Sequence, residues 1–217
     1  MPLAIFDLDN TLLAGDCDYA WGEFMIARGL VDGPAYRAAN DRYSAQYQAG
    51  TLDIHAFLQM ALAPLARQDR ATLDKLHAEF MQQRILPMIA PGAPALLEKH
   101  RARADTLIII TSTNRFITAP IARALEVEHL LATDPEESNG RYTGRVNGTP
   151  CYREGKVMRL NEWMRTNGKD LRGSWCYSDS HNDLPLLEEC AHPVAVDPDP
   201  ILRREAAARG WPVISLR

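Results

Sequence analysis

Two carboxylates stand two residues apart in Asp7-Leu8-Asp9-Asn10-Thr11, directly after the apolar run Leu3 to Phe6. Like charges that close are costly to bury unless a cation or a shared proton compensates them. A divalent metal meets that need, and hard oxygen donors favour Mg²⁺. For this motif taken alone, a solvated Asp-rich turn with ordinary capping duties is the alternative. A second piece runs the apolar stretch Leu107 to Ile110 into Thr111-Ser112-Thr113-Asn114 and then a helix. Hydroxyls and free N–H groups at a helix N-terminus can hold a phosphate. Lys156 follows Glu154-Gly155 at the start of another helix, where an ammonium can reach a phosphate or a nucleophilic carboxylate. A second acid pair, Asp179 and Asp183, lies four apart after the apolar run Trp175 to Tyr177.

All four pieces fall at strand C-termini or helix N-termini, and therefore on one edge of a sheet. The strands that would carry them are short apolar runs at Leu3 to Phe6, Leu107 to Ile110, Leu130 to Ala132, Trp175 to Tyr177, Val194 to Val196 and Val213 to Ser215. Most do not alternate, so both faces are expected to be buried, as in a parallel sheet covered by helices. Gly155 to Asn167 reads as a helix ending at Gly168, and Asp199-Pro200 opens another that Gly210 stops. The fold class expected is α/β, a doubly wound and mostly parallel sheet. Ser138-Asn139-Gly140 to Gly148 reads as a short β-hairpin.

Residues 16–86 contain no strand pattern. Pro34 to Gln48 carries Tyr36, Ala39, Tyr43 and Tyr47 on one stripe. Asp53 caps a helix with Ile54, Phe57, Leu58, Ala61, Leu62 and Leu65 on one face, and Thr72 to Leu86 follows with Pro87 as its stop. The chain therefore divides into a core of residues 1–15 and 87–217 and an inserted all-helical unit of residues 16–86.

Charged residues nearly balance, 24 basic against 28 acidic for a net charge of −4. Such a surface has no bulk attraction for nucleic acid or anionic membrane. No apolar run approaches the roughly 20 residues of a membrane helix, and the N-terminus does not read as a signal peptide. A cytoplasmic enzyme acting on a small molecule is expected, with no protein partner implied. Cys17, Cys151, Cys176 and Cys190 lack metal or framework spacing and read as reduced thiols, Cys176 in the core.

Taken in order, DxDxT, strand plus Thr, Lys, and strand plus DxxxD resemble the haloacid dehalogenase superfamily of phosphohydrolases over nearly the whole chain. The helical insertion lies where that family carries its cap. The hairpin and the Gly155-Lys156 context look most like the phosphoserine phosphatase branch. The resemblance implies that Asp7 is the nucleophile that becomes phosphorylated and that Asp9 is the acid and base. Thr111 and Lys156 would hold phosphoryl oxygens, with Ser112 beside them. Asp7, the Asp9 main chain, Asp179 and Asp183 would hold Mg²⁺, and Asn10 to Thr11 would position Asp9. Ser178 stands where the family more often has Gly. His181 reads as a bystander of the metal loop, and His55, His77, His100, His129 and His192 as structural or solvent-facing.

The resemblance places Asp16 where phosphoserine phosphatases bind the substrate ammonium. It also calls for an arginine against the serine carboxylate, yet Phe57 to Leu62 contains none and the next is Arg67. A buried carboxylate without a partner binds poorly. The expected substrate is therefore a small amine-bearing phosphate ester without a carboxylate. Tyr19, Trp21, Glu23 and Tyr43 are placed against its head group, with packing inside the insertion as the alternative, while Tyr36 and Tyr47 read as cap core. The Asp-Asn-Thr-Leu-Leu-Ala-Gly-Asp opening and Val196 to Pro200 resemble a bacterial subgroup that includes histidinol-phosphate phosphatases. A phosphoaccepting signalling domain, a macromolecular phosphatase and a silent binding module are the competing classes.

Overall fold

The computed structural model describes all 217 residues. Strand β1 (Leu3–Phe6) is buried at every residue, as its uninterrupted apolar run requires. It lies at the centre of a seven-stranded sheet ordered β4-β3-β2-β1-β5-β6-β7. The other strands are β2 (Thr106–Asn114), β3 (His129–Ser138), β4 (Arg141–Asn147), β5 (Trp175–Ser178), β6 (His192–Val196) and β7 (Val213–Ile214). β1 pairs in parallel with β2 on one side and β5 on the other. The chain order thus reverses at β1, and the crevice outside its C-terminal end is where open α/β sheets bind ligands. Only β4 runs antiparallel, joined to β3 through Asn139 and Gly140, both with positive φ as a tight hairpin requires. The hairpin is therefore an extension of the main sheet rather than a separate piece.

Alternation along β1 feeds two cores. Ala4 and Phe6 join one apolar cluster, while Leu3 and Ile5 join the other. Helices α6 (Ala93–Arg101) and α7 (Arg115–Ala124) contribute to the first; α8 (Glu154–Asn167), α9 (Leu184–Glu189) and α10 (Pro200–Arg209) contribute to the second.

Between β1 and β2 the chain forms α1 (Cys17–Ala27), α2 (Gly33–Gln48), α3 (Ile54–Ala66) and α4 (Arg70–Phe80). Asp16, Asp32, Asp53 and Asp69 cap them in turn, each side chain accepting from main-chain N–H groups of the first turn. The helical path does not stop at Pro87. It continues through a wide turn at Met81–Ile85, where the Leu86 N–H reaches Met81 O, into α5 (Leu86–Met88). Pro87 is tolerated because it falls in the first turn after that break, where a missing N–H is least costly. The two chain passages between insertion and core are tied to each other, Ala14 N to Met88 O at 2.6 Å and Ala90 N to Leu12 O at 2.9 Å.

The cysteine expectation is corrected in one respect. Cys176 and Cys190 are joined as a disulfide, with Cα atoms 6.0 Å apart, while Cys17 and Cys151 are free and buried. The partners are the start of β5 and the residue after α9, which the strand–turn–helix path folds back together.

His77 of α4 packs against Trp21, Phe80 and Phe116 with Nε2 2.9 Å from Ile117 O. The carbonyl can only accept, so Nε2 carries the proton. Burial holds its pKa below the ordinary value. A depressed histidine contributes stability above the unfolded pKa of about 6.5 and loses it as pH falls through the folded value. In urea denaturation at pH 7 and pH 5, His77→Gln is expected to lose less stability on acidification than the wild type.

Candidate active site

Asp7 is the first residue beyond β1, its N–H held by Tyr177 O at 2.9 Å. The chain then closes a single wide turn, Leu8 to Leu12, with Asn10 at φ 58° and Leu13 N reaching back to Leu8 O. That turn brings Asp7 and Asp9 to the same mouth of the sheet. Asp9 Oδ1 accepts from Cys17 N at 2.6 Å; its Oδ2 accepts from Thr113 Oγ1 at 2.8 Å and lies 3.4 Å from Thr111 Oγ1. Alternation puts residues 111 and 113 on one side of β2, and this was the signal available for Thr113, which sequence reasoning passed over.

Lys156 is buried and donates to Asp7 Oδ1 and Asp183 Oδ2, both at 2.7 Å. Its approach depends on Gly155, where a Cβ would lie 2.1 Å from Pro150 O, so no other residue fits this tight entry into α8. Burial works against the ammonium, but Asp183 and Asp7 outweigh it and raise its pKa. The departure from the family pattern at Ser178 has a role, since its hydroxyl donates to Asp183 Oδ2 at 2.7 Å. Asp183 therefore faces Lys156 and Ser178. Thr11 does not position Asp9. Its hydroxyl lies 3.3 Å from Asp7 Oδ2 and 3.2 Å from Asp179 Oδ1, accepts from Asp179 N at 3.1 Å, and so joins the two carboxylates from behind. His181 is held by Asp199 Oδ2, 2.8 Å from Nδ1.

Two carboxylates, Asp7 and Asp183, thus share one ammonium, while Asp179 is joined to Asp7 through Thr11 and Asp9 is held by Cys17 N and Thr113. Burial pushes the Asp7 carboxyl up to about 7, with Lys156 opposing and Asp183 and Asp9 adding to the rise. Asp179 is driven well above the carboxylate range by burial and then by the Asp7 and Asp183 charges. A site this anionic calls for a cation. No three His, Cys, Asp or Glu side chains converge as a closed cage. Mg²⁺ does not need one: it retains water and is typically bound through one or two carboxylates plus a substrate phosphate. The Asp7 and Asp179 pair bridged by Thr11 fits that requirement.

Asp7, Asp9 and Asp179 reach a cavity of about 690 Å³ between the core and the inserted helices, a size suited to a small ligand, while Lys156 and Asp183 stay behind its wall. Asp7, Asp9, Asp179, Ser112 and Thr113 line it from the core; Asp16, Asp18, Tyr19, Tyr43 and Tyr47 line it from α1, its cap and α2. Thr111 is buried behind them. Two expected residues are elsewhere. Trp21 is buried among Phe24, His77, Phe80 and Phe116, because it sits about 200° round the helix from Tyr19. Glu23 pairs with Arg37 at 2.7 Å on the outer surface. Asp18 was not anticipated: its Oδ2 is shut off from solvent without a hydrogen-bond partner. Enclosure and the Asp16 and Asp9 charges raise its pKa well above the usual range. A second cleft of about 760 Å³ between α4, α7 and the hairpin contains none of the motif residues.

Thr113→Val keeps the shape and removes one donor to Asp9. A buried hydrogen bond to a charged group contributes about 1.5–3 kcal/mol, so kcat is expected to fall about 10- to 100-fold. The same bond stabilises the fold, so the melt is expected to drop by about 3–12 °C, and steady-state kinetics run well below it read the fall in kcat on folded enzyme.

A profile of the haloacid dehalogenase-like hydrolases matches residues 4–188. A histidinol-phosphatase of Neisseria meningitidis serogroup C (strain 8013) is 45% identical over 219 residues, covering 99% of each chain. Among solved structures, a Bordetella pertussis Tohama I protein of unknown function superimposes with a TM-score of 0.93 at 45% identity, covering 100% of this chain and 99% of that one. A phospho-aspartyl intermediate analogue of a phosphoserine phosphatase superimposes at 0.72 and 17% identity, covering 100% and 93%, and shares the fold.

Proposed function

The chain belongs to the haloacid dehalogenase-like hydrolases and is a phosphatase of that family, and from that footing we propose that it is a Mg²⁺-dependent phosphomonoesterase for a small amine-bearing metabolite, L-histidinol phosphate before others. The observation that carries the substrate is the composition of the cavity wall. Its cap side presents Asp16, Asp18, Tyr19 and Tyr43 and no basic side chain; the one arginine on the lining, Arg217, comes from the core and donates to Asn10 O. A leaving group with its own carboxylate would meet like charge there. An ammonium with an aromatic ring would meet carboxylates and phenols, which suit both parts. The name of the Neisseria relative supports the same choice.

Asp7 attacks phosphorus through a carboxylate oxygen while Asp9 gives its proton to the departing ester oxygen, which leaves as the alcohol. Asp9, now ionised, takes a proton from water as that water attacks the aspartyl phosphate, releasing phosphate and restoring Asp7. Lys156 holds Asp7 and balances charge as phosphoryl oxygens gather beside it, and Ser112 on the cavity wall offers its hydroxyl to those oxygens, with Thr111 buried behind it and turned to Asp9. Asp7, the Asp9 main chain and Asp179 would hold Mg²⁺, with Asp183 in support, and the ion would supply charge neutralisation for the phosphoryl group.

Phosphate release from L-histidinol phosphate, L-phosphoserine and an aryl phosphate, with and without Mg²⁺, tests this reading. The expected kcat/KM for histidinol phosphate is about 10⁴ M⁻¹s⁻¹ or more, above the other two and lost on chelation. Preference for phosphoserine would overturn the substrate assignment, and turnover unaffected by chelation would overturn the metal.

A further inference from the structure

The C-terminal end of α2 is fastened to the core beside the acid pair. Asn182, next to Asp183 and buried, donates from Nδ2 to Tyr47 O at 3.0 Å. Arg153 donates from Nη2 to Gly50 O at 2.7 Å and from Nε to Asn182 Oδ1 at 3.0 Å. Tyr152 completes Asn182 with its hydroxyl at 2.9 Å. The contact is tight. Gly50 has φ +68°, and a Cβ there would lie 2.9 Å from both Arg153 Nη2 and His181 Nε2. Arg153 itself sits at φ 51°, a strained value for a non-glycine residue, which persists only where the surroundings enforce it.

This latch seats a cap side chain in the reaction centre. Tyr47 packs 6.0 Å from the Tyr152 ring and lines the same cavity as Asp7, Asp179 and Ser180. Its hydroxyl is within hydrogen-bond reach of Ser180, next to Asp179, and a phenol there has one O–H to donate.

We propose that Tyr47 is a catalytic residue supplied by the cap, its hydroxyl donating to a phosphoryl oxygen held at Asp7, and that Asn182 and Arg153 are positioning residues whose latch couples cap closure to completion of the site. The proposal rests on the phosphoryl-transfer reading above. It explains a polar network spent on joining the inserted helices to the catalytic core rather than on either alone.

Tyr47→Phe keeps the ring and removes only the donor. With an aryl phosphate, kcat is expected to fall about 100-fold, the scale of one preorganised donor to a developing oxyanion, with KM little changed. Arg153→Ala is expected to lower kcat comparably, and the double variant to be no slower than Tyr47→Phe alone. Orthovanadate binding, followed by calorimetry with Mg²⁺ present, reads the same contact without turnover and is expected to weaken about tenfold in Tyr47→Phe. Wild-type turnover and its loss in Asp7→Asn, run in parallel, test the reaction itself. Wild-type kcat and vanadate affinity in Tyr47→Phe would overturn the catalytic role, and multiplicative effects in the double variant would overturn the latch.

Discussion

Asp7→Asn is expected to abolish phosphate release, by about 10⁴-fold or more in kcat, the scale seen when a covalent nucleophile is removed. The amide is nearly the same size and can still accept from Lys156 through its oxygen, so the 2.7 Å contact to the ammonium survives. What it loses is the anionic oxygen that attacks phosphorus. The accompanying expectation is that the protein melts no lower than the wild type. Burial has already pushed the Asp7 carboxyl up to about 7 in the company of Asp183 and Asp9, so removing its charge relieves repulsion near neutral pH. A silent enzyme with unchanged or raised Tm is therefore the signature of a nucleophile, whereas a silent and unstable one would mark Asp7 as structural. Retained phosphate release would remove Asp7 from the nucleophile's place and with it the aspartyl-phosphate route.

How much of this was legible before the fold was known differs by distance along the chain. DxDxT and the Asp179–Asp183 pair encode their geometry in a few residues, because a strand end followed by a tight turn fixes where side chains go. Lys156 was legible through Gly155, which the close approach of Pro150 O makes obligatory. The strand runs and the caps at Asp53 and Asp199 were equally local, and α3 and α10 begin directly after them.

The misplacements came from asking a sequence stripe what lies opposite it. Tyr36, Tyr43 and Tyr47 share one face of α2, but that face extends over eleven residues, about 16 Å. Its two ends therefore meet different neighbours. Tyr36 lies against Gly22 of α1, while Tyr43 and Tyr47 line the cavity. Trp21 failed for the complementary reason: two residues from Tyr19 on a helix, it points the other way and joins the aromatic core. The family resemblance places Thr11 with Asp9, yet the wide turn carries its hydroxyl to Asp7 and to Asp179, a residue 168 positions away. The Cys176–Cys190 pairing likewise depends on the return path of α9 rather than on spacing.

Lys156→Met is the substitution expected to cost most in stability. The methionine fills much of the aliphatic volume, so cavity formation contributes little. The loss is electrostatic: Asp7 and Asp183, each 2.7 Å from the ammonium, are left buried without a counter-charge. Breaking a buried pair in this way costs about 3–5 kcal/mol, and the two carboxyls can reduce it only by taking up protons. That fixes the sign of the pH dependence. With Lys156 gone, the main opposition to the rise in the Asp7 pKa disappears. A carboxyl whose folded pKa lies above its unfolded one contributes stability at low pH and loses it as pH rises through the folded value. The variant is therefore expected to melt higher at pH 6 than at pH 8, with a steeper decline than the wild type over the same interval. Differential scanning calorimetry at both pH values checks this, and Mg²⁺ is expected to restore part of the lost stability at pH 8, where the carboxylates are ionised and can bind it. Phosphatase activity is expected to remain absent even then, because a cation beside Asp7 does not replace the ammonium that fixes the orientation of its carboxylate. A variant as stable as the wild type at pH 8 without Mg²⁺ would show that the acid cluster is relieved by some group other than Lys156.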